Sequence, residues 1–255
     1  MVWIPHHAWQ KETFFFYLSC APNHIQMGYS SGGTNMSDIE SFKCRILTWD
    51  EIAKWTEAVA NDIEDDGYLP TVVVGLTRGG WIPARLICDH LKVKKLYAVK
   101  TEHWGVTANN DGKALLTQEL NTDIGGDSIL IVDDITDTGE SLSLAREHIG
   151  ELGPSEIRAA TLLHITHSKV EPDYYEEEVP EGDWTWFIFP WNLNEDLRTL
   201  LPKILFEPKT VLCIKQGFKD QFQIEVPEDM VRRTLRNLRA SGKIRKKGAK
   251  WIRSQ

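Results

Sequence analysis

Residues 129–142 read ILIVDDITDTGESL: an apolar run, two adjacent carboxylates, and a third carboxylate directly before a Thr-Gly-Glu-Ser turn. The run reads as a strand. Helical spacing then begins, with Leu142, Ala145, Ile149 and Leu152 on one side. A Gly-containing loop leading from a strand into a helix is a ready phosphate site, because the first helical N–H groups lack partners and the helix dipole favours negative charge. Carboxylates beside such a site would repel a bare phosphate. A ligand that reconciles the two carries a phosphate, free hydroxyls and a metal, since Asp accepts hydroxyl protons and binds Mg2+ while the backbone holds the phosphate. A phosphorylated sugar fits that description.

The flanking sequence has the same alternation. CRILTWDEIAKWTEAVANDI (44–63) predicts a short strand, a Thr48 cap with Glu51 three residues on, and an amphipathic helix. TVVVGL (71–76) is a second buried-strand pattern, followed by TRGG and the helix WIPARLICDHL; KKLYAVKT is a third strand candidate. The polar stretch EHWGVTANNDGKALLTQELNTDIGGD (102–127) reads as a mobile lid or a hairpin rather than a plain connector. SILIV forms the strand of the opening motif, DDITDTGE its loop, and EIRAATLLHI a further strand, whereas DYYEEEVPEGD reads as an acidic surface segment. Strands alternating with helices indicate an α/β fold with a central parallel sheet, whose ligands lie at the C-terminal strand ends. Two loops qualify for that edge, Arg78-Gly79-Gly80 and Asp133 to Ser141.

Composition bounds the remaining possibilities. The chain has 255 residues, is 42% hydrophobic and 26% charged, and has length for one large domain and a small one. No window approaches the roughly 18 apolar residues of a membrane span. Its cysteines, Cys20, Cys44, Cys88 and Cys213, lie far apart with no CxxC spacing, which suggests neither a zinc site nor a disulfide framework and makes the cytoplasm the expected location. Residues 1–43 read as a disordered or loosely packed N-terminal extension, with Met36 as an alternative start; Phe14 to Leu18 is too short an apolar run, and its lead-in too poor in basic residues, for a signal peptide. Charge is divided unevenly. From Pro208 to the end there are 13 Lys and Arg against 4 Asp and Glu, a net of +9, while the remainder carries −17.

The opening motif lacks the GxxxxGK[ST] of a nucleotide P-loop and the GxGxxG of a dinucleotide fold. ILIVDD also opens phosphoacceptor receiver domains, but those need an acceptor Asp at a later strand end, and HITHSKVEPDYYEEE offers none convincingly. ILIVDDITDTGESL resembles the phosphoribosyl pyrophosphate signature of type I phosphoribosyltransferases. VVVGLTRGGWIPARLICDHL is similar to that family's pyrophosphate loop and following helix. CRILTWDEI and DWTWFIFPW resemble the start and the base-covering segment of its bacterial xanthine-guanine branch. The resemblance covers roughly residues 44–195 and implies a central parallel sheet with a small base-covering hood.

Carried over by residue, the resemblance implies that Asp133 and Asp134 hold the ribose hydroxyls, with Asp134 ahead of Asp133 as the Mg2+ contact. It places Asp137 against N7 of the purine as the catalytic proton-handling acid. Thr138, Gly139, Glu140 and Ser141 would wrap the 5'-phosphate, and Arg78, Gly79 and Gly80 would hold the pyrophosphate. A non-proline cis peptide at Thr77-Arg78 is a further family expectation. Trp186 and Phe187 would wall the purine, Phe187 first, with Trp184, Phe189 and Trp191 assigned to the core. The family's purine enzymes read the 6-oxo group with a Lys after the strand that follows the signature helix. Here LLHITHSK offers Lys169 for that role, with His164 and His167 read as structural, and leaves the base open.

The resulting expectation is a homo-oligomeric phosphoribosyltransferase over residues 44–207, using Mg2+ and joining phosphoribosyl pyrophosphate to a 6-oxopurine in nucleotide salvage. Residues 208–255 form a second module in this reading. There VPEDMVRRTLRNLRA predicts a helix with Val231, Leu235 and Leu238 on one face, and GKIRKKGAKWI a hairpin, together similar to the end of a winged helix. Nucleic acid is one partner for such a surface, and the acidic main domain of the same or a neighbouring subunit is another. The rival to the enzyme is a phosphoribosyl pyrophosphate-sensing regulator that binds nucleic acid through this module.

Overall fold

The computed structural model describes residues 41–103 and 114–254. The chain divides into two compact units, residues 43–194 and, among the described residues, 41–42 with 195–254. The expected extension therefore lies outside the described residues up to position 40. The larger unit ends at 194 rather than at the expected 207.

In the larger unit, β1 (Cys44–Ile46) leads into α1 (Trp49–Asp65), then β2 (Val72–Thr77), α2 (Trp81–His90), β3 (Lys95–His103), β4 (Ala114–Gln118), β5 (Ser128–Thr136), α3 (Glu140–Glu151), β6 (Glu156–Ile165), β7 (Tyr174–Val179) and β8 (Trp186–Ile188). A six-stranded sheet has the order β4-β3-β2-β5-β6-β7. Every neighbouring pair in it is parallel except β3 with β4. The polar stretch expected as a lid or hairpin thus supplies β4 and the last two residues of β3, which pair antiparallel, and residues 104–113 between them lie outside the described residues.

Strand alternation builds the two halves of the core. Val72, Val74, Leu76, Ile129 and Ile131 face Leu142, Ala145 and Ile149 of α3. Val73, Leu130 and Val132 face Val59 and Ile63 of α1 with Ala84, Ile87 and Cys88 of α2. Gly75 lets α2 approach the sheet: a Cβ there would lie 3.0 Å from the Ala84 Cβ. At the start of α1, Thr48 and Glu51 form the predicted capping box. A third apolar cluster, containing Leu47, Ile52, Trp55, Leu163, Ile165, Val179 and Phe189, lies beside the two-stranded parallel sheet of β1 and β8. Arg45 fastens that small sheet by ion pairs to Glu51 at 3.0 Å and Glu177 at 2.7 Å.

Two local expectations are corrected. Strand β5 does not stop at Val132 but continues to Thr136, because the longer β6 keeps offering partners: Asp133 pairs with Thr161, Ile135 with Leu163 and Thr136 with His164. Both leading carboxylates therefore stand on a strand instead of a loop. The segment read as acidic surface contains edge strand β7, whose buried ends Tyr174 and Val179 bracket outward-facing glutamates.

The smaller unit takes in most of α4 (Leu193–Ile204), then α5 (Val211–Phe222), α6 (Glu228–Ala240), and the hairpin β9 (Ile244–Lys247) with β10 (Lys250–Arg253). Gly217 of α5 meets Ile204 of α4 so closely that an added Cβ would overlap the Ile204 side chain. Thr210 caps α5. An antiparallel bridge joins Lys209, between α4 and α5, to Trp251 of the hairpin.

Candidate active site

The C-terminal ends of β2, β5 and β6 carry the loops singled out in the sequence. After β2 the chain passes through a cis peptide between Thr77 and Arg78, as the family resemblance implied. It then runs through Gly79 and Gly80 into α2. The two glycines are there for want of room. A Cβ on Gly79 would lie 2.5 Å from Asp134 Oδ1, with Oδ2 and Cγ closer still, and one on Gly80 would lie 2.6 Å from the Asp133 Cα and 2.9 Å from its Oδ1. The β2 loop is thus laid directly on the carboxylate pair of β5.

That pair is largely withdrawn from water. Asp134 is 8% exposed, and Asp133 is half-buried. Asp133 Oδ1 accepts the Asp134 N–H at 2.9 Å. Burial, and then the charge of Asp134 beside it, push the Asp133 carboxyl well above the usual carboxylate range. Burial raises Asp134 as well, opposed by the hydrogen bonds it accepts. One of these comes from the indole N–H of Trp191 at 3.3 Å.

The loop after β5 holds Asp137, Thr138 and Gly139. Gly139 has φ of +79°, a left-handed conformation natural to glycine, and it provides no capping side chain to α3. Gly80 likewise leaves α2 without a side-chain cap. In contrast to α1 and α5, neither site loop has a capping side chain at the helix N-cap, and the Glu140 N–H meets Thr138 Oγ1 only at 3.4 Å; helix N-termini of this kind suit anions. Glu140 and Ser141 occupy the first turn of α3.

The loop after β6 closes against this one. Lys169 donates its backbone N–H to Thr138 O at 3.3 Å, and a Cβ on Gly139 would lie 2.7 Å from Ser168 Oγ. His167 Nε2 lies 2.8 Å from Asp137 Oδ1, with side chains 28% and 43% exposed. The structure therefore gathers Gly79, Gly80, Asp133, Asp134, Asp137, Gly139 and the backbone of Lys169, and adds two residues that sequence reasoning had given to the scaffold, His167 and Trp191. The Lys169 side chain is exposed. His164, by contrast, is buried at 5% exposure against the Tyr175 ring, with centroids 4.9 Å apart.

The aromatic segment divides differently from expectation. Phe189 is core at 3% exposure, but Trp184, also expected in the core, is 47% exposed because it precedes the short β8 strand. Trp191 stacks on Phe189 with centroids 4.9 Å apart and turns its N–H to the site. Phe187 packs on the third apolar cluster, and Trp186 is half-buried in β8.

Residues 45–196 match the model of the phosphoribosyl transferase domain. A xanthine-guanine phosphoribosyltransferase of Ruegeria sp. (strain TM1040) is 31% identical over 156 residues, 58% of this chain and 84% of that protein. Another, from Cereibacter sphaeroides, is 28% identical over 152 residues, 58% and 86% of the two chains. Among solved structures, a purine phosphoribosyltransferase from Pyrococcus horikoshii is 29% identical with a TM-score of 0.51, over 59% of this chain and 94% of that one. With more than half its length matched by the family model, and with the signature residues brought to one sheet edge, the chain belongs to the phosphoribosyltransferases.

Proposed function

We propose that the chain transfers the phosphoribosyl group of phosphoribosyl pyrophosphate to a 6-oxopurine, releasing pyrophosphate. The observation that carries this reading is the Asp133–Asp134 pair, half-buried and buried respectively, pressed against Gly79 and Gly80, beside a loop that also supplies Asp137. In such a transfer the anomeric C–O bond breaks as the base nitrogen bonds to the same carbon. Positive charge develops on the ribose and negative charge on the departing pyrophosphate, so anion donors belong at one side and carboxylates near the sugar. Asp133 and Asp134 are suited to the ribose hydroxyls, the Arg78-Gly79-Gly80 loop to the pyrophosphate, and Thr138 to Ser141 to the 5'-phosphate. Asp137 is suited to take the proton that the purine releases, with His167 holding its carboxylate in place. Trp186, Phe187 and Lys169 are the candidates for contact with the base. Relatives named for xanthine and guanine support that choice of substrate class.

Mg2+ fits the same carboxylates in chemical type: they are two oxygen donors side by side, whose burial and mutual repulsion a cation would offset. Among the described residues no group of three or more His, Cys, Asp or Glu is assembled to hold a metal alone. Mg2+ characteristically binds through one or two carboxylates together with substrate phosphates. Asp134 and Asp133 would hold it, and when bound it would neutralise the leaving group. The test is pyrophosphate release from phosphoribosyl pyrophosphate and Mg2+ with hypoxanthine, guanine, xanthine, adenine, uracil or orotate in turn. Release with one or more of the first three is expected. Release only with adenine or a pyrimidine would overturn the substrate class, and silence with all six would overturn the transfer itself.

A further inference from the structure

The smaller unit lies almost wholly beyond the family match at residues 45–196, and its chemistry is unlike that of the transferase unit. Between Glu228 and Arg253 the sequence has ten Lys and Arg against two acids. The acids, Glu228 and Asp229, both fall in the first turn of α6, and Glu228 is engaged by Arg232 at 2.6 Å. Folding sorts the rest by face. Val231, Thr234, Leu235 and Leu238 are buried, which leaves Arg232, Arg233, Arg236 and Arg239 on the exposed side of one helix.

The hairpin extends this surface. It leaves α6 through a turn in which Lys243 N–H bonds to Leu238 O and Ser254 N–H bonds to Lys243 O. Ile244 and Trp251 are buried, while Arg245, Lys246, Lys247, Lys250 and Arg253 are exposed. Gly248, with φ of +62°, makes the tight turn between the strands. The Lys209–Trp251 bridge ties the hairpin to the segment before α5. The sequence of elements is therefore helix, bridged extended segment, two helices and a two-stranded wing, with the cations gathered on the last helix and the wing.

We infer that α6 and the β9–β10 hairpin form a docking surface for duplex DNA. An α-helix fits the roughly 12 Å major groove of B-form DNA, whereas the deep, narrow major groove of A-form RNA does not admit one. The 13 residues of α6 span about 20 Å. Its exposed arginines and the wing cations have the sign and spread needed to meet phosphates along both edges of the groove. No base-specific contact is implied; the surface is electrostatic and its affinity is carried by counterion release.

The experiment uses the full chain. Fluorescence anisotropy with a labelled mixed-sequence DNA duplex is compared with duplex RNA of the same length and with heparin, from about 50 to 200 mM salt. About five phosphate contacts would give a log–log salt slope of about −4 to −5. The joint substitution Arg233→Gln, Arg236→Gln and Arg239→Gln should weaken DNA binding at least tenfold and reduce the slope by about 2–3. Lys247→Gln with Lys250→Gln, in the wing, should reduce it independently. Both variants should retain the wild-type melting temperature and pyrophosphate-release rate. The inference is overturned if the chain does not bind DNA at the lowest salt, if duplex RNA or heparin binds as well as DNA, or if both folded variants bind like wild type. It is equally overturned if sedimentation shows the arginines serving only salt-sensitive self-association.

Discussion

Replacing Gly80 by Ala is the sharpest test of the idea that the β2 loop is seated on the β5 carboxylates. The added Cβ would stand 2.6 Å from the Asp133 Cα and 2.9 Å from Asp133 Oδ1, and it would also press on the Val132 carbonyl. Comfortable carbon–carbon contact begins near 3.5 Å, so the loop or the strand must give by about 1 Å. Two of the three obstacles are main-chain atoms of a central strand, which cannot rotate aside. Overpacking of this kind costs about 3 kcal/mol, at the upper end of the usual range. In a chain of this size that lowers the melting temperature by roughly 6–12 °C. A displacement of about 1 Å at the reacting groups would also lower kcat/KM about a hundredfold. Differential scanning calorimetry and steady-state pyrophosphate release measure the two effects. Gly182→Ala is the control, because a Cβ there meets nothing within 4 Å. A Gly80→Ala protein with the melting temperature and kcat/KM of the Gly182→Ala protein would refute the close seating.

Asp137→Asn should lower turnover by about 10²–10⁴ while leaving phosphoribosyl pyrophosphate affinity by calorimetry nearly unchanged; unchanged turnover would remove Asp137 from proton transfer. His167→Asn should cost roughly tenfold in kcat and alter its pH profile, since a partly exposed hydrogen bond to a carboxylate lies at the low end of the charged range; a change confined to melting temperature would make His167 purely structural. For the β5 pair the sign of the pH effect follows from native affinities raised above the unfolded values. The stability they contribute is full below about pH 4 and is lost as pH rises through the raised native values, so at neutral pH the charged pair opposes folding. Asp133→Asn, which keeps an oxygen to accept the Asp134 N–H, should therefore raise the neutral-pH melting temperature by about 2–4 °C and flatten its pH dependence while lowering activity. A lower melting temperature with unaltered pH dependence would show that the carboxylates are satisfied without a cation.

Much of the fold was legible because local signals agreed with it. The apolar runs at 72–76 and 129–132 are strands buried on both faces, Thr48 and Glu51 announce the start of α1, and the spacing from Leu142 to Ile149 marks the buried side of α3. What local pattern could not give was the effect of a neighbouring strand. Asp133 and Asp134 look like loop residues until the length of β6 is known, and the run of glutamates in β7 looks like surface until Tyr174 and Val179 find the sheet edge. The expected module boundary at 207 could not include α4 in the second unit, because its association with α5 depends on the absent side chain of Gly217, thirteen positions beyond Ile204. Trp191 was misjudged because residue type and hydropathy do not reveal where an indole N–H points.

His167 is different, because a signal was present. It follows β6 as Asp137 follows β5, and loops at the same ends of adjacent parallel strands are brought side by side by the sheet itself. Once the two strands are recognised as neighbours, their following loops should be read as one surface, although Asp137 and His167 stand thirty residues apart in sequence. The same logic explains why the acids belong on β5 rather than in its loop. Pairing with β6, in which Asp133 lies opposite Thr161, fixes these carboxylates more firmly than a turn would and keeps the two within reach of each other. The repulsion between them is thereby retained in the folded protein, where a cation and the hydroxyls of a ligand can relieve it. On the proposed function, binding would draw on an imbalance that folding has left in place, and the destabilised resting pair and an affinity for a phosphorylated sugar would be two consequences of one arrangement.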